Sequence, residues 1–281
     1  MDFEDLLAAL RFSPAAKQAV REQISSDRIR MIAQTAYAGT VPDFPLTKQP
    51  AEIRLATVVY LLQQKYLAYH EKGVPDAIIF DTFRDVTLRA NLYYAKQCKV
   101  GITGEDVIWF RHIMNVNLFK IGTLQYQPFE MIYLDEETIG EPYMVFPEQY
   151  KRLLPSNTPV INCHIPAGAD LRYDAVEASL NAAKEYLPLW FPQVHFKVFL
   201  CYSWLLYPPM LNSLPPASNI RRFGQRFTIL GTCSDPEQAM EHMQPGAQTQ
   251  LTRLAKENKA LFGFACGVIP LETCDLIPEQ S

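Results

Sequence analysis

What the 281-residue chain lacks narrows its class first. No stretch approaches the ~18–20 uninterrupted apolar residues that span a bilayer, so no membrane helix is expected. The opening Met1-Asp2-Phe3-Glu4-Asp5 is acidic where a secretory signal is basic and then apolar, and the expected location is cytoplasmic. Cysteine is scarce. Six thiols (Cys98, Cys163, Cys201, Cys233, Cys266 and Cys274) do not make a disulfide scaffold. No Cys-x-x-Cys or His-x-x-x-His spacing occurs, so no metal site is expected, and most of the thiols read as small buried hydrophobes. Basic excess is missing too: 26 Lys and Arg stand against 30 Asp and Glu, for a net charge of −4. A phosphate-neutralising surface needs the opposite sign, so no nucleic-acid partner is expected. There is no internal repeat and no Gly-x-Ser-x-Gly elbow.

What is present is an ordinary globular composition, 48% hydrophobic and 20% charged, written in two grammars. The first ~115 residues read as helices. Ser13 is a capping hydroxyl ahead of Pro14, and Gly39 closes a helix begun near Ser25. After Pro42, Pro45 and Pro50, a helix apolar nearly all round runs from Ala51 to His70, the mark of a central bundle position. From Pro75, Ile79, Phe83, Val86, Ala90 and Tyr94 recur at helical spacing. Asp81, Arg84 and Asp85 read as an ion pair on that helix's surface. Thr103-Gly104-Glu105-Asp106 resembles a capping box with a shorter acid.

After Asn115 the period becomes two. Strands are expected at Phe119–Thr123, at Phe129–Tyr133, and then at Val160–Ile165. A helix follows over Tyr173–Leu187, then strands at Phe196–Trp204 and Arg226–Leu230, a helix over Thr249–Leu261 and a last strand at Phe262–Ile269. This order predicts an α+β chain: a helical domain over residues 1–115, then, over 116–281, a mixed sheet with flanking helices.

Three places could carry chemistry. His164 ends a strand just before a turn, where ligands bind open sheets. The turn Pro166-Ala167-Gly168-Ala169 leads into a helix whose free N–H groups suit an anion, although Asp170 and Asp174 oppose that reading and one of them is expected to cap the helix. Cys201-Tyr202-Ser203-Trp204 closes the next strand, with Cys201 and Ser203 on one face and Tyr202 and Trp204 on the other. Were the two strands neighbours, the thiol or hydroxyl could approach the imidazole, the minimum for an activated nucleophile; no third, orienting member is identifiable. Arg221, Arg222 and Arg226 form a guanidinium cluster suited to phosphate or carboxylate.

An ordered string of motifs then becomes recognisable. It comprises Phe119-Lys120-Ile121-Gly122-Thr123-Leu124-Gln125-Tyr126, His164-Ile165-Pro166, Cys201 to Leu206, Leu214 to Ile220, Arg222-Phe223 with Arg226-Phe227, and Gly267 to Leu271. It resembles a bacterial family of acyltransferases that pair a helical N-terminal acyltransferase-associated domain with a GNAT-like C-terminal domain. The resemblance implies acyl-CoA or acetyl-CoA as co-substrate, lying in a gap between the fourth strand (Val160–Ile165) and the fifth (Phe196–Ser203). Its pyrophosphate would sit at Pro166-Ala167-Gly168-Ala169. It implies transfer of the acyl group to a small-molecule acceptor, an amine entering between the domains. His164 would act as base or orienting group, Tyr202 as acid, Cys201 or Ser203 beside the thioester, and Arg221, Arg222 or Arg226 as anion contacts. Two departures stand out: of the family's glycine-rich phosphate signature only Gly168 remains, and Tyr202 occupies a place where a histidine is frequent. A GNAT-like binding protein without turnover is the alternative, and a hydrolase built on Cys201 or Ser203 ranks third.

Overall fold

A computed structural model describes residues 1–137, 142–243 and 250–272. The chain divides into two compact units, Met1–Ile121 and Gly122–Ser281.

The first unit is helical: α1 (Phe3–Leu10), α2 (Pro14–Ile24), α3 (Asp27–Thr35), α4 (Ala51–Glu71), α5 (Asp76–Phe83), α6 (Asp85–Gln97) and α7 (Gly104–Met114), closing with strand β1 (Phe119–Ile121). The expected N-terminal caps of α2 and α7 are in place, whereas α3 ends at Thr35 and not at Gly39. Ala16 N donates to Ser13 Oγ (3.3 Å), and α7 starts on a reciprocal box in which Asp106 N donates to Thr103 Oγ1 (3.0 Å) and Thr103 N to Asp106 Oδ2 (2.8 Å). Helix α4 buries Ile53, Leu55, Val58, Val59, Leu62 and Tyr69, as its all-round apolarity requires.

Two expectations change here. The single helix read from Pro75 onward is two, broken at Arg84, whose Nε donates to Ala9 O (2.8 Å). Arg84 does pair with Asp81, but Asp85 is no surface ion: it is buried, and its Oδ2 accepts from Trp109 Nε1 (2.7 Å) and Arg89 Nε (3.2 Å). The unit also holds an open cavity of about 460 Å³ lined by residues that include Arg54, Tyr93, Thr103 and Glu105.

The second unit carries β2 (Leu124–Glu130), α8 (Glu148–Leu153), β3 (Pro159–His164), α9 (Tyr173–Trp190), β4 (Val198–Ser203), α10 (Pro208–Ser213), α11 (Asn219–Gly224), β5 (Thr228–Cys233), α12 (Pro236–His242), α13 (Gln250–Glu257) and β6 (Phe264–Pro270). Among the described residues of this unit the sheet has the order β2-β3-β4-β6-β5. β3 and β4 run parallel, with α9 as the crossover between them, while β2–β3, β4–β6 and β5–β6 are antiparallel. The mixed sheet with flanking helices is therefore present. The β1–β2 turn uses Gly122 at φ +64°, where a Cβ would also press on Ser179 at 3.2 Å.

Several boundaries moved. The Val160–Ile165 strand is the third along the chain where the resemblance implied the fourth; the second strand spans Leu124–Glu130, and Met131–Tyr133 lies beyond it and folds over one face of the sheet. Tyr133 OH donates to Leu154 O (2.7 Å) there, and Met131, Tyr133, Met144 and Phe146 pack on Val160, Val198, Leu200, Phe264 and Cys266. Arg226 precedes β5 rather than opening it, and Asn219–Arg222 lies in α11. On the opposite face α9 is fixed by Ser179, whose Oγ shares a hydrogen bond with Tyr126 OH (2.8 Å). Residue 249 and Cys274, both named from the sequence, lie outside the described residues.

Candidate active site

The register of two strands sets the geometry. β3 and β4 are neighbours and parallel, and the residues paired between them are Ile161 with Phe199 and Asn162 with Leu200. Both strands run on beyond that ladder, β3 through Cys163 and His164, β4 through Cys201, Tyr202 and Ser203. The pairing stops short of both carboxyl ends, which leaves their last residues outside the mutual ladder.

Side-chain alternation from the Asn162–Leu200 pair then sorts the expected residues. His164 and Tyr202 fall on one face, whereas Cys163, Cys201 and Ser203 fall on the other. The nucleophile–imidazole pairing is therefore not formed: the strands are neighbours as it required, but the thiol and the imidazole point to opposite sides. Cys201 is 1% exposed and sits opposite Gly267 of β6. Ser203 Oγ accepts from Leu205 N (3.1 Å), capping the helical turn that ends the strand. Burial pushes the neighbouring Cys163 thiol up to about 12, so it stays protonated near neutrality.

Tyr202 lies on the histidine's face but is engaged in packing. Its hydroxyl donates to Ile132 O and its ring stacks parallel to Phe264. This ties β4 to the segment folded over the sheet. His164 is half-buried, and its Nε2 lies 2.9 Å from Gln127 Oε1 on β2. Gln127 belongs to a group that the sequence reading passed over. The antiparallel register sets Gln125 opposite His164 and Gln127 opposite Asn162, so four polar side chains tile one patch of the sheet face. Gln125, Gln127 and Asn162 are 2%, 4% and 6% exposed, and the Nε2 of Gln125 has no hydrogen-bond partner. The signal was present in part: Asn162 and His164 are polar residues two apart in an apolar strand, the spacing of a shared face.

Past His164 the chain turns at Pro166–Ala169, with Ala169 N donating to Pro166 O (3.1 Å) and Gly168 at φ +76°. Neither Asp170 nor Asp174 caps α9, whose first turn receives no side-chain cap. Asp170 instead accepts from Arg172 N (3.0 Å) and grips the Arg172 guanidinium; that hydrogen bonding holds its carboxyl below the usual range. The acid that opposed an anion at this turn is thus paired with an arginine. A second guanidinium reaches the same helix start: Arg226 lies 4.1 Å over the Tyr173 ring and pairs with Glu177. The expected arginine cluster is dispersed. Arg221 turns back to donate to Leu214 O (2.7 Å), Arg222 is exposed, and Arg226 alone reaches α9. Consecutive positions of a helix point about 100° apart, which separates Arg221 from Arg222. Among the described residues, no group of three or more His, Cys, Asp or Glu could hold a metal ion.

Comparison with known proteins agrees with this architecture. Five of the six described strands and the seven helices of the first unit fall within two matched regions: residues 118–260 match the GNAT-like C-terminal domain, and residues 1–116 match the N-acyltransferase N-terminal domain. Among solved structures, an acyltransferase mutant in complex with octanoyl-CoA aligns at a TM-score of 0.72 and 17% identity, covering 96% of this chain and 87% of that one. An acyltransferase in complex with decanoyl-CoA and teicoplanin aligns at 0.69 and 16%, and one with decanoyl-CoA at 0.68 and 17%, both with the same coverage. None of the curated proteins matches. The parallel strand pair, its crossover helix and the helical unit before it thus have a common explanation: the chain belongs to the GNAT-like C-terminal domain family, preceded by an N-acyltransferase N-terminal domain.

Proposed function

We propose that this protein transfers an acyl group from acyl-CoA to the amine of a small-molecule acceptor. The observation that carries the reading is the β3–β4 ladder, which ends at Asn162 and Leu200 while both strands continue. A thioester carbonyl laid between the strands would be polarised by backbone N–H donors at the strand ends. The turn at Pro166–Ala169, the uncapped start of α9, and Arg172 and Arg226 beside it suit the pyrophosphate of CoA. The solved neighbours with acyl-CoA support the same class of donor.

In this reading the amine nitrogen attacks the thioester carbon, the N–C bond forms, the C–S bond breaks and CoA leaves as thiolate. The proton lost by nitrogen goes to His164, on the face that borders the gap. Most of the acceleration comes from holding amine and thioester together. Tyr202 has no acid role here, because its proton is given to the Ile132 carbonyl; it braces the strand. Cys201 and Ser203 are not nucleophiles in this scheme.

Thiol release is the test. The protein is incubated with acetyl-, octanoyl- and decanoyl-CoA and a panel of amines, and free CoA is followed with a thiol reagent. Amine-dependent release is expected, and release independent of amine would overturn transfer in favour of hydrolysis. One observation favours a second reading, binding without turnover: the phosphate turn retains a single glycine and has Asp170 beside it. That reading predicts thermal stabilisation of about 2.7 kcal/mol at 100 times the dissociation constant, with no thiol released.

A further inference from the structure

The helical unit holds a charge that no described counter-ion answers. Arg54 of α4 lines the open cavity of about 460 Å³, together with Tyr93, Thr103 and Glu105. That volume lies within the ~300–1,000 Å³ usual for small-molecule sites. Among the described residues the Arg54 guanidinium makes one hydrogen bond, from Nη1 to Thr47 O (3.0 Å), and pairs with no carboxylate. Its Nε is buried without a partner. The start of α7 lies against it, since a Cβ placed on Gly104 would meet Arg54 Nη1 at 3.6 Å. The positive end of that helix adds to the arginine's charge instead of offsetting it. A half-buried cation in this setting costs stability until an anion joins it. Two further donors border the cavity. Thr103 Oγ1 accepts from Asp106 N, which leaves its own proton uncommitted, and the Tyr93 hydroxyl has no partner among the described residues. Pro42 and Ile108 supply apolar wall, and Glu105 is the one acid in the lining, exposed and forming no ion pair with Arg54.

We propose that this cavity binds a small organic carboxylate. The carboxylate group pairs with the Arg54 guanidinium and accepts from the Thr103 and Tyr93 hydroxyls, while the apolar body rests on Pro42 and Ile108. A carboxylate fits better than a phosphate, because one arginine answers a single negative charge and Glu105 opposes a second. The lining belongs wholly to the unit Met1–Ile121, so the proposal does not depend on the acyl-transfer reading.

Calorimetric titration of the full-length protein with benzoate, its neutral counterpart benzamide and inorganic phosphate tests the proposal. Saturable benzoate binding is expected, about 10-fold or more tighter than either control. Arg54→Met removes the charged donors and should weaken benzoate by about 10- to 100-fold. Arg54 also holds Thr47, so circular dichroism checks that the variant folds. Tyr93→Phe loses only a hydroxyl and should weaken benzoate by about 2- to 10-fold. Absence of benzoate binding, or benzamide or phosphate binding as tightly, would overturn the proposal. A folded Arg54→Met variant with parental affinity would do the same; if that variant is unfolded, Tyr93→Phe at parental affinity decides against it.

Discussion

The two ends of one sheet face are built from the same strands and treated in opposite ways. At one end Val160, Val198, Leu200, Phe264 and Cys266 are closed over by Met131, Tyr133, Met144 and Phe146, with the Tyr202 hydroxyl pinned to Ile132. At the other, two residues further along β3, the face changes to Gln125, Gln127, Asn162 and His164, and the ladder between β3 and β4 has ended. The apolar end gains stability from each buried side chain. The polar end costs stability, since it buries amides and leaves the Gln125 Nε2 unbonded. A fold tolerates such a cost where the groups are wanted for a ligand, and the contrast separates what holds the sheet from what the sheet holds.

Four substitutions sharpen that contrast. The largest effect belongs to the polar end: His164→Gln should lower kcat by about 10²–10⁴-fold in the thiol-release assay, with the urea midpoint nearly unmoved. Next, at the apolar end, Phe264→Ala removes a fully buried ring stacked on Tyr202 and should cost about 3–5 kcal/mol in denaturant titration. Tyr202→Phe keeps that ring and removes only the hydroxyl, leaving Ile132 O short of a donor. It should cost about 1–2 kcal/mol by the same titration and keep turnover within about threefold, whereas a collapse of turnover would return Tyr202 to the chemistry. The smallest change has the opposite sign. Gln125→Leu removes an unbonded buried donor and should raise stability by about 1 kcal/mol, and a loss instead would mean that the amide has a partner in solution.

Much of the helical unit was legible because its signals are local. Ser13, Thr103 and Asp106 act within a turn of where they stand in the chain, and the all-round apolarity of α4 needs only its own side chains to be seen. Where distant residues decide, the reading drifted. Asp85 went to Trp109 and Arg89 instead of the surface, since a carboxylate beside an indole N–H and a guanidinium can be buried with its bonds satisfied. Met131 and Tyr133 carry strand-like spacing but leave the sheet, because the Tyr133 hydroxyl finds Leu154 O across the face. The site divides the same way. His164, the turn after it and Arg226 were visible as residue types next to element ends. The pairing of imidazole with thiol was not decidable from spacing, because a one-residue change of register between parallel strands moves every side chain to the other face.

The amino-acid sequence by itself determined the order of helices and strands, the helix starts, the placing of a histidine at a strand end and the alternation of faces within each strand, all properties of bonds and periods a few residues long. Only the tertiary structure decided which strands lie side by side, that the β3–β4 pairing ends at Asn162 and Leu200, that Cys201 faces away from His164, and that Gln127 meets the imidazole. Those are relations between residues 37 and more apart in the chain, as Gln127 and His164 are, and the free energy that sets them comes from packing and hydrogen bonds summed over the whole sheet.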